Sequence, residues 1–123
     1  MAESTVVSRE FATARRLVDL LEQDGFKFDF AVWATDDENE GRLFLVPSDR
    51  AVSKLKQSIR VATTISEHKE ELPNRNDLRY SIVTSDDPVI RAVRSATSIA
   101  GEIHGVYREG TYIETAYVLR PAA

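Results

Sequence analysis

His68 and His104 are the only imidazoles in the chain, and with no cysteine present they mark where acid–base or metal chemistry would be sought. His104 stands in a strand-like stretch, with Glu102, Tyr112 and Glu114 close by along two neighbouring strands. A carboxylate that orients an imidazole is the start of a general-base arrangement, so His104, Glu114 and Tyr112 are the catalytic candidates. The carboxylate–imidazole arrangement lacks its third member, a nucleophile: no Ser or Thr sits in an identifiable elbow. A cross-strand surface pair of His104 with Glu114 is therefore the plainer expectation. His68 falls among Glu67, Lys69, Glu70 and Glu71, the composition of a solvated helix end.

Other constellations are weaker. Glu102 and Glu114 are a candidate carboxylate pair of the kind glycoside chemistry needs, but their facing depends on a turn. The run Asp36-Asp37-Glu38-Asn39-Glu40 resembles a cation loop only in composition, because the central Gly and the twelfth-position Glu of a calcium loop are missing. Gly101-Glu102-Ile103-His104-Gly105 offers spaced glycines in a strand, not between a strand and a helix, so it is not a phosphate loop. Arg91 and Arg94 share a helix face, and with Arg79 and Tyr80 they form a candidate patch for a nucleotide or RNA. No metal and no cofactor is expected from these spacings.

These groups are positioned by elements of mixed type. The central stretch is Phe28 to Ser48, read as a β-hairpin of Phe28–Thr35 and Arg42–Val46 around the turn Asp36–Gly41. Pairing Val32 with Leu45 puts Phe30, Val32, Ala34, Leu43 and Leu45 on one face. Ala31, Trp33, Phe44 and Val46 then take the other. Both faces are apolar, so a helix or a partner must cover the second one. Trp33, Phe44 and Val46 are accordingly the candidate interface.

Before the hairpin, Ser8 caps a helix with the stripe Phe11, Ala14, Leu17, Val18 and Leu21, ended by Gly25. After it, Ser48 or Asp49 starts a second helix with the stripe Val52, Leu55, Ile59, Ala62 and Ile65. A short strand follows over Leu78 to Thr84. Asp87 then caps a third helix with Pro88 in its first turn and Val89, Ile90, Val93, Ala96 and Thr97 on its buried side. Ile99 to Leu119 forms the last hairpin. A two-residue Glu109-Gly110 turn sets His104 opposite Thr115, and a three-residue turn sets it opposite Glu114. The second is preferred because it gathers Ile99, Ile103, Tyr107, Ile113, Tyr117 and Leu119 on one face.

The order α-β-β-α-β-α-β-β predicts one α+β domain, residues 1–123, on a mixed, mainly antiparallel five-stranded sheet with three helices. The two middle helices are expected on one face. A chain of 123 residues suits a single core. The absence of cysteine suits a reducing cytoplasm, and no apolar run approaches a membrane span. No basic segment followed by an apolar run opens the chain, so no secretory signal is read. A formal net charge of −4 argues against a dedicated nucleic-acid binder. The expected role is non-enzymatic: recognition of a protein partner or self-association as a homodimer. A ligand pocket around His104, Tyr112 and Glu114 is the alternative, and local RNA or nucleotide binding through Arg79, Arg91 and Arg94 the second.

Overall fold

The computed structural model describes residues 2–36, 38, 40–49, 52–76, 78–96 and 102–120, with backbone alone at 2–8 and 102. Thr97, Ile99 and Gly101 lie outside the described residues, so their expected places in the third helix and last hairpin are not assigned. The elements are α1 (Ala2–Gln23), β1 (Phe28–Thr35), β2 (Gly41–Pro47), α2 (Lys54–Glu67), β3 (Tyr80–Ile82), α3 (Pro88–Ala96), β4 (Glu102–Arg108) and β5 (Thr111–Arg120). This is the expected mixed α+β order: one five-stranded sheet, β3-β2-β1-β5-β4, parallel only between β2 and β3.

Sheet direction decides where each helix goes. The β2–α2–β3 unit joins adjacent parallel strands, and α2 packs beside α1 on one face. β3 and β4 occupy opposite edges, and the pairings run them antiparallel. The connection through α3 crosses the other face, so the expectation that α2 and α3 share a side is corrected. The result is a three-layer sandwich. Ala14, Leu17, Val18, Leu21, Ala31, Trp33, Leu43, Leu45 and Val61 fill the α1–α2 side. Phe30, Val32, Ala34, Val46, Ile90, Val93, Ile113 and Ala116 fill the α3 side. Both faces of the central hairpin are thus covered within the chain, which accounts for its doubly apolar pattern.

The hairpin register differs by one residue from the reading above. Val32 pairs with Phe44, Trp33 with Leu43 and Thr35 with Gly41. Gly41 belongs to β2 rather than to the turn, and taking it into the strand turns β2 over relative to β1. Trp33 therefore shares a face with Leu43 and Leu45, while Phe44 and Val46 look toward α3. Trp33 has 0% exposure. Its indole lies under α1, 6.0 Å from the Phe11 ring and 6.1 Å from Tyr117. Trp33, Phe44 and Val46 do not form a single surface.

Two helix boundaries also move. α1 starts at Ala2, so Ser8 is interior to it; residues 2–7 contain no Gly or Pro to prevent helix there. α2 starts after Ser53, whose Oγ accepts from the Lys56 N–H at 3.2 Å. Asp87 caps α3 as expected, its Oδ1 accepting from the Val89 N–H at 2.9 Å.

The rotation of α2 is the larger departure. Gln57, Val61 and Thr64 face inward, and Leu55 and Ile59 are 71% and 56% exposed. Hydrogen bonds fix this orientation. The Gln57 Nε2 donates to the Asp49 carbonyl at 2.9 Å, and the Thr64 hydroxyl donates to Asp24 Oδ2 at 2.8 Å. Buried polar groups met by partners this well override an apolar stripe read from spacing alone.

Candidate functional site

The two parallel strands end at a cleft. Beyond Pro47 and Ile82 the chain leaves β2 toward α2 on one face and β3 toward α3 on the other. Open sheets hold ligands outside the carboxyl ends of adjacent parallel strands whose connections part in this way, because the diverging loops leave a crevice. Here the crevice has a volume of about 630 Å³, within the range typical of small-molecule sites. Val46, Pro47, Val52, Ile82 and Val83 supply apolar wall, and Ser53, Gln57, Thr84, Asp49, Asp86 and Asp87 supply polar groups.

The electrostatics of this cleft follow from how its helix ends are capped. Helix N-termini favour anions through their free N–H groups. In α3 the first of these is absent at Pro88, and the Val89 N–H is taken by Asp87. In α2 the Lys56 N–H is taken by Ser53. Among the described residues three carboxylates, Asp49, Asp86 and Asp87, stand against one lysine, Lys54, and make that part of the lining acidic. Gln57 is 6% exposed and lines the cleft. Its amide N–H is held by Asp49, and among the described residues no donor meets its Oε1. The wall is thus apolar with acceptor oxygens, suited to a molecule that has an apolar body and a cationic or donor-bearing head.

The catalytic candidates do not converge as the longer turn would have it. Glu109 and Gly110 have φ of 51° and 84°, the left-handed pair of a two-residue hairpin turn. Tyr107 is therefore opposite Tyr112, and His104 is opposite Thr115, not Glu114. His104 Nδ1 lies 3.4 Å from the Thr115 hydroxyl, and the Tyr112 hydroxyl donates to Glu114 at 2.5 Å. The expected apolar face is also redistributed. Gly105, at φ 62°, interrupts the alternation, so Ile103, Val106, Ile113 and Ala116 all pack on the α3 side while Tyr107 is exposed. Tyr112 lines a recess of about 170 Å³ with Glu40, Arg42 and Arg79. Glu102 stands across from Tyr117.

Arg79 pairs with Glu40 at 3.2 Å and Arg91 with Glu109 at 3.3 Å; Arg94 is exposed on α3. Two of these three cations are met by carboxylates of different turns, which lowers their pull on a phosphate chain. The Asp36 carboxylate accepts the Glu38 and Glu40 N–H groups at 2.9 and 3.0 Å, the work of a turn-former.

A cluster between α1 and α2 carries no sequence motif. Asp24, Glu67 and His68 place one ligand-capable atom each within 4.8 Å of one another. Behind them His68 Nδ1 meets Glu71 Oε2 at 2.9 Å, and Arg16 is hydrogen-bonded to Glu71. The Arg16 guanidinium, followed by His68, holds the Glu71 carboxyl below its ordinary value of 4.5. Asp24 sits past the end of α1, so only the tertiary fold could reveal the group.

No protein-family model, curated protein or solved structure matches this chain. Among the described residues no helix is long and apolar enough to cross a membrane. The geometry alone carries the functional reading.

Proposed function

We propose that this domain binds a small organic molecule, with an apolar body and an amine or similar cationic head, in the cleft at the carboxyl ends of β2 and β3. The observation that carries the reading is the parting of α2 and α3 to opposite faces beside a cleft of about 630 Å³, with Gln57 buried at its wall. Val46, Val52, Ile82 and Val83 would take the body, and Gln57, Asp86 and Asp87 the head. Among the described residues the hydroxyls of Ser53, Thr84 and Ser85 line the cleft without a histidine beside them, and the reading taken is binding. Titrating labelled protein with alkyl- and arylamine fragments tests it. Amide shifts should concentrate at Val52, Gln57, Val83 and Asp87; shifts scattered over the surface would count against it.

Self-association is a second reading, favoured by a separate observation. Leu55 and Ile59 lie one turn apart on the outer side of α2, both largely exposed. Lys54, Lys56 and Arg60 make the first half of that helix basic, whereas Glu67 closes it, with Lys69 and Glu70 just beyond. Two copies packed with their α2 helices antiparallel would bury the apolar pair and set each basic half toward the Glu67 end of the other. A two-fold contact needs that kind of self-complementary surface. The homodimer thus rests on Leu55 and Ile59, in place of Trp33.

A further inference from the structure

We propose that Asp24, Glu67 and His68 form a binding site for a divalent transition metal, of the zinc or cobalt class, at the junction of α1 and α2. Imidazole with two carboxylates is a donor set that suits such ions, and three protein ligands leave coordination positions open for water or another oxygen ligand.

The three side chains already converge. Their donor atoms lie within 4.8 Å of one another, close enough for small movements to bring all three onto one ion. His68 Nε2 is 3.8 Å from Asp24 Oδ2, too long for a hydrogen bond but short enough for two ligands of a shared metal. Each of these two is aimed by a further contact. Thr64 donates its hydroxyl to Asp24 Oδ2 at 2.8 Å. Glu71 meets His68 Nδ1 at 2.9 Å, and Arg16 binds Glu71 in turn. An ionised carboxylate only accepts, so Nδ1 carries the proton and Nε2 is the nitrogen turned to Asp24. A carboxylate behind a histidine in this manner is how protein metal sites fix the ring and raise its basicity.

A separate feature supplies the space. Asp24, Thr64 and Glu67 also line a recess of about 340 Å³ with Phe26, Ile59, Arg60 and Thr63. The Arg60 guanidinium lies 5.0 Å above the Phe26 ring, a cation–π contact that holds it there. Two of the three ligands, Asp24 and Glu67, thus border a recess that also holds the Arg60 guanidinium, a cation able to receive an anionic oxygen group.

Cobalt titration followed by visible absorption tests the site in the full chain. The expected result is one saturable equivalent, displaced by zinc, with affinity at least tenfold lower in His68→Gln. Glu71→Gln, which touches no metal, should weaken binding by roughly 10- to 100-fold, the usual effect of losing a group behind a ligand. Should either variant fail to fold, manganese broadening of wild-type amide signals gives the answer directly. Broadening centred on Asp24, Thr64, Glu67 and His68 supports the site. Equal binding by wild type and folded variants, or broadening spread over other acidic turns, would mean an adventitious ion only and overturn it.

Discussion

The indole of Trp33 occupies the space that a side chain on Gly41 would need: an ideal Cβ there would stand 2.1 Å from Trp33 Cζ2. The two residues are diagonal neighbours on one face of the β1–β2 hairpin, and the empty side of the glycine lets the ring lie flat against the strand. Gly41→Ala should therefore destabilise the domain by about 1–3 kcal/mol, the usual cost of overpacking a fitted core. Urea denaturation monitored by Trp33 fluorescence measures it. An unchanged midpoint would mean that the ring packs elsewhere.

Arg120 fastens the end of β5 to α1. Its guanidinium donates to Glu22 at 2.5 Å and to Asp19 at 2.7 Å. These contacts, Glu22 first, raise its pKa further above its ordinary value, so the guanidinium stays charged throughout the usual pH range. Arg120→Ala should cost about 1 kcal/mol, the upper end for ion pairs that water can reach, and the loss should shrink in high salt. Denaturation at two ionic strengths checks both.

The Asp87 cap is a local test of α3. Removing its carboxylate in Asp87→Ala leaves the Val89 N–H without that acceptor, and about 1 kcal/mol of stability should be lost. Asp87→Asn retains an acceptor oxygen and should restore most of it. Equal losses in the two variants would assign the effect to charge instead.

Leu55 and Ile59 separate folding from assembly. Both are largely exposed, so Leu55→Glu with Ile59→Glu should change the stability of an isolated subunit by less than about 0.5 kcal/mol per site. Light scattering is expected to show a dimer for the wild type and a folded monomer for the double variant. A wild-type monomer at high concentration would dismiss self-association through α2.

Much of the architecture was legible because hydrophobic spacing and turn residues are local signals. The aromatic and β-branched runs of β1 and β2 around a polar turn, the Asp87-Pro88 start of α3 and the stripe of α1 all point to the right elements in the right order. Registers were harder, since one glycine decides each. Gly41 entering β2 reversed the facing of Phe44 and Val46 relative to Trp33, and Glu109 with Gly110 shifted His104 from Glu114 to Thr115. The side taken by α3 depended on strand order, which no nearby residue encodes. The rotation of α2 was hidden for another reason. Gln57 reads as part of the polar side until the Asp49 carbonyl is seen to bind it, and the partner that turns Thr64 inward, Asp24, lies 40 residues away in the chain. The cleft and the Asp24–Glu67–His68 cluster belong to that same class, assembled from several elements and marked by no motif.

The most direct measurement of the binding role compares amine-fragment affinity between the wild type and Val83→Phe. Val83 is half-buried at the cleft wall and packs on the α3-side core, so a larger ring there would extend into the crevice, and only a folded variant is informative. Leu55→Glu, outside the cleft, serves as the control. Saturable binding to wild type and Leu55→Glu is expected, with shifts at Gln57 and Asp87, and at least a tenfold loss in folded Val83→Phe. Binding that survives in Val83→Phe, or none in the wild type across the amine set, would contradict it.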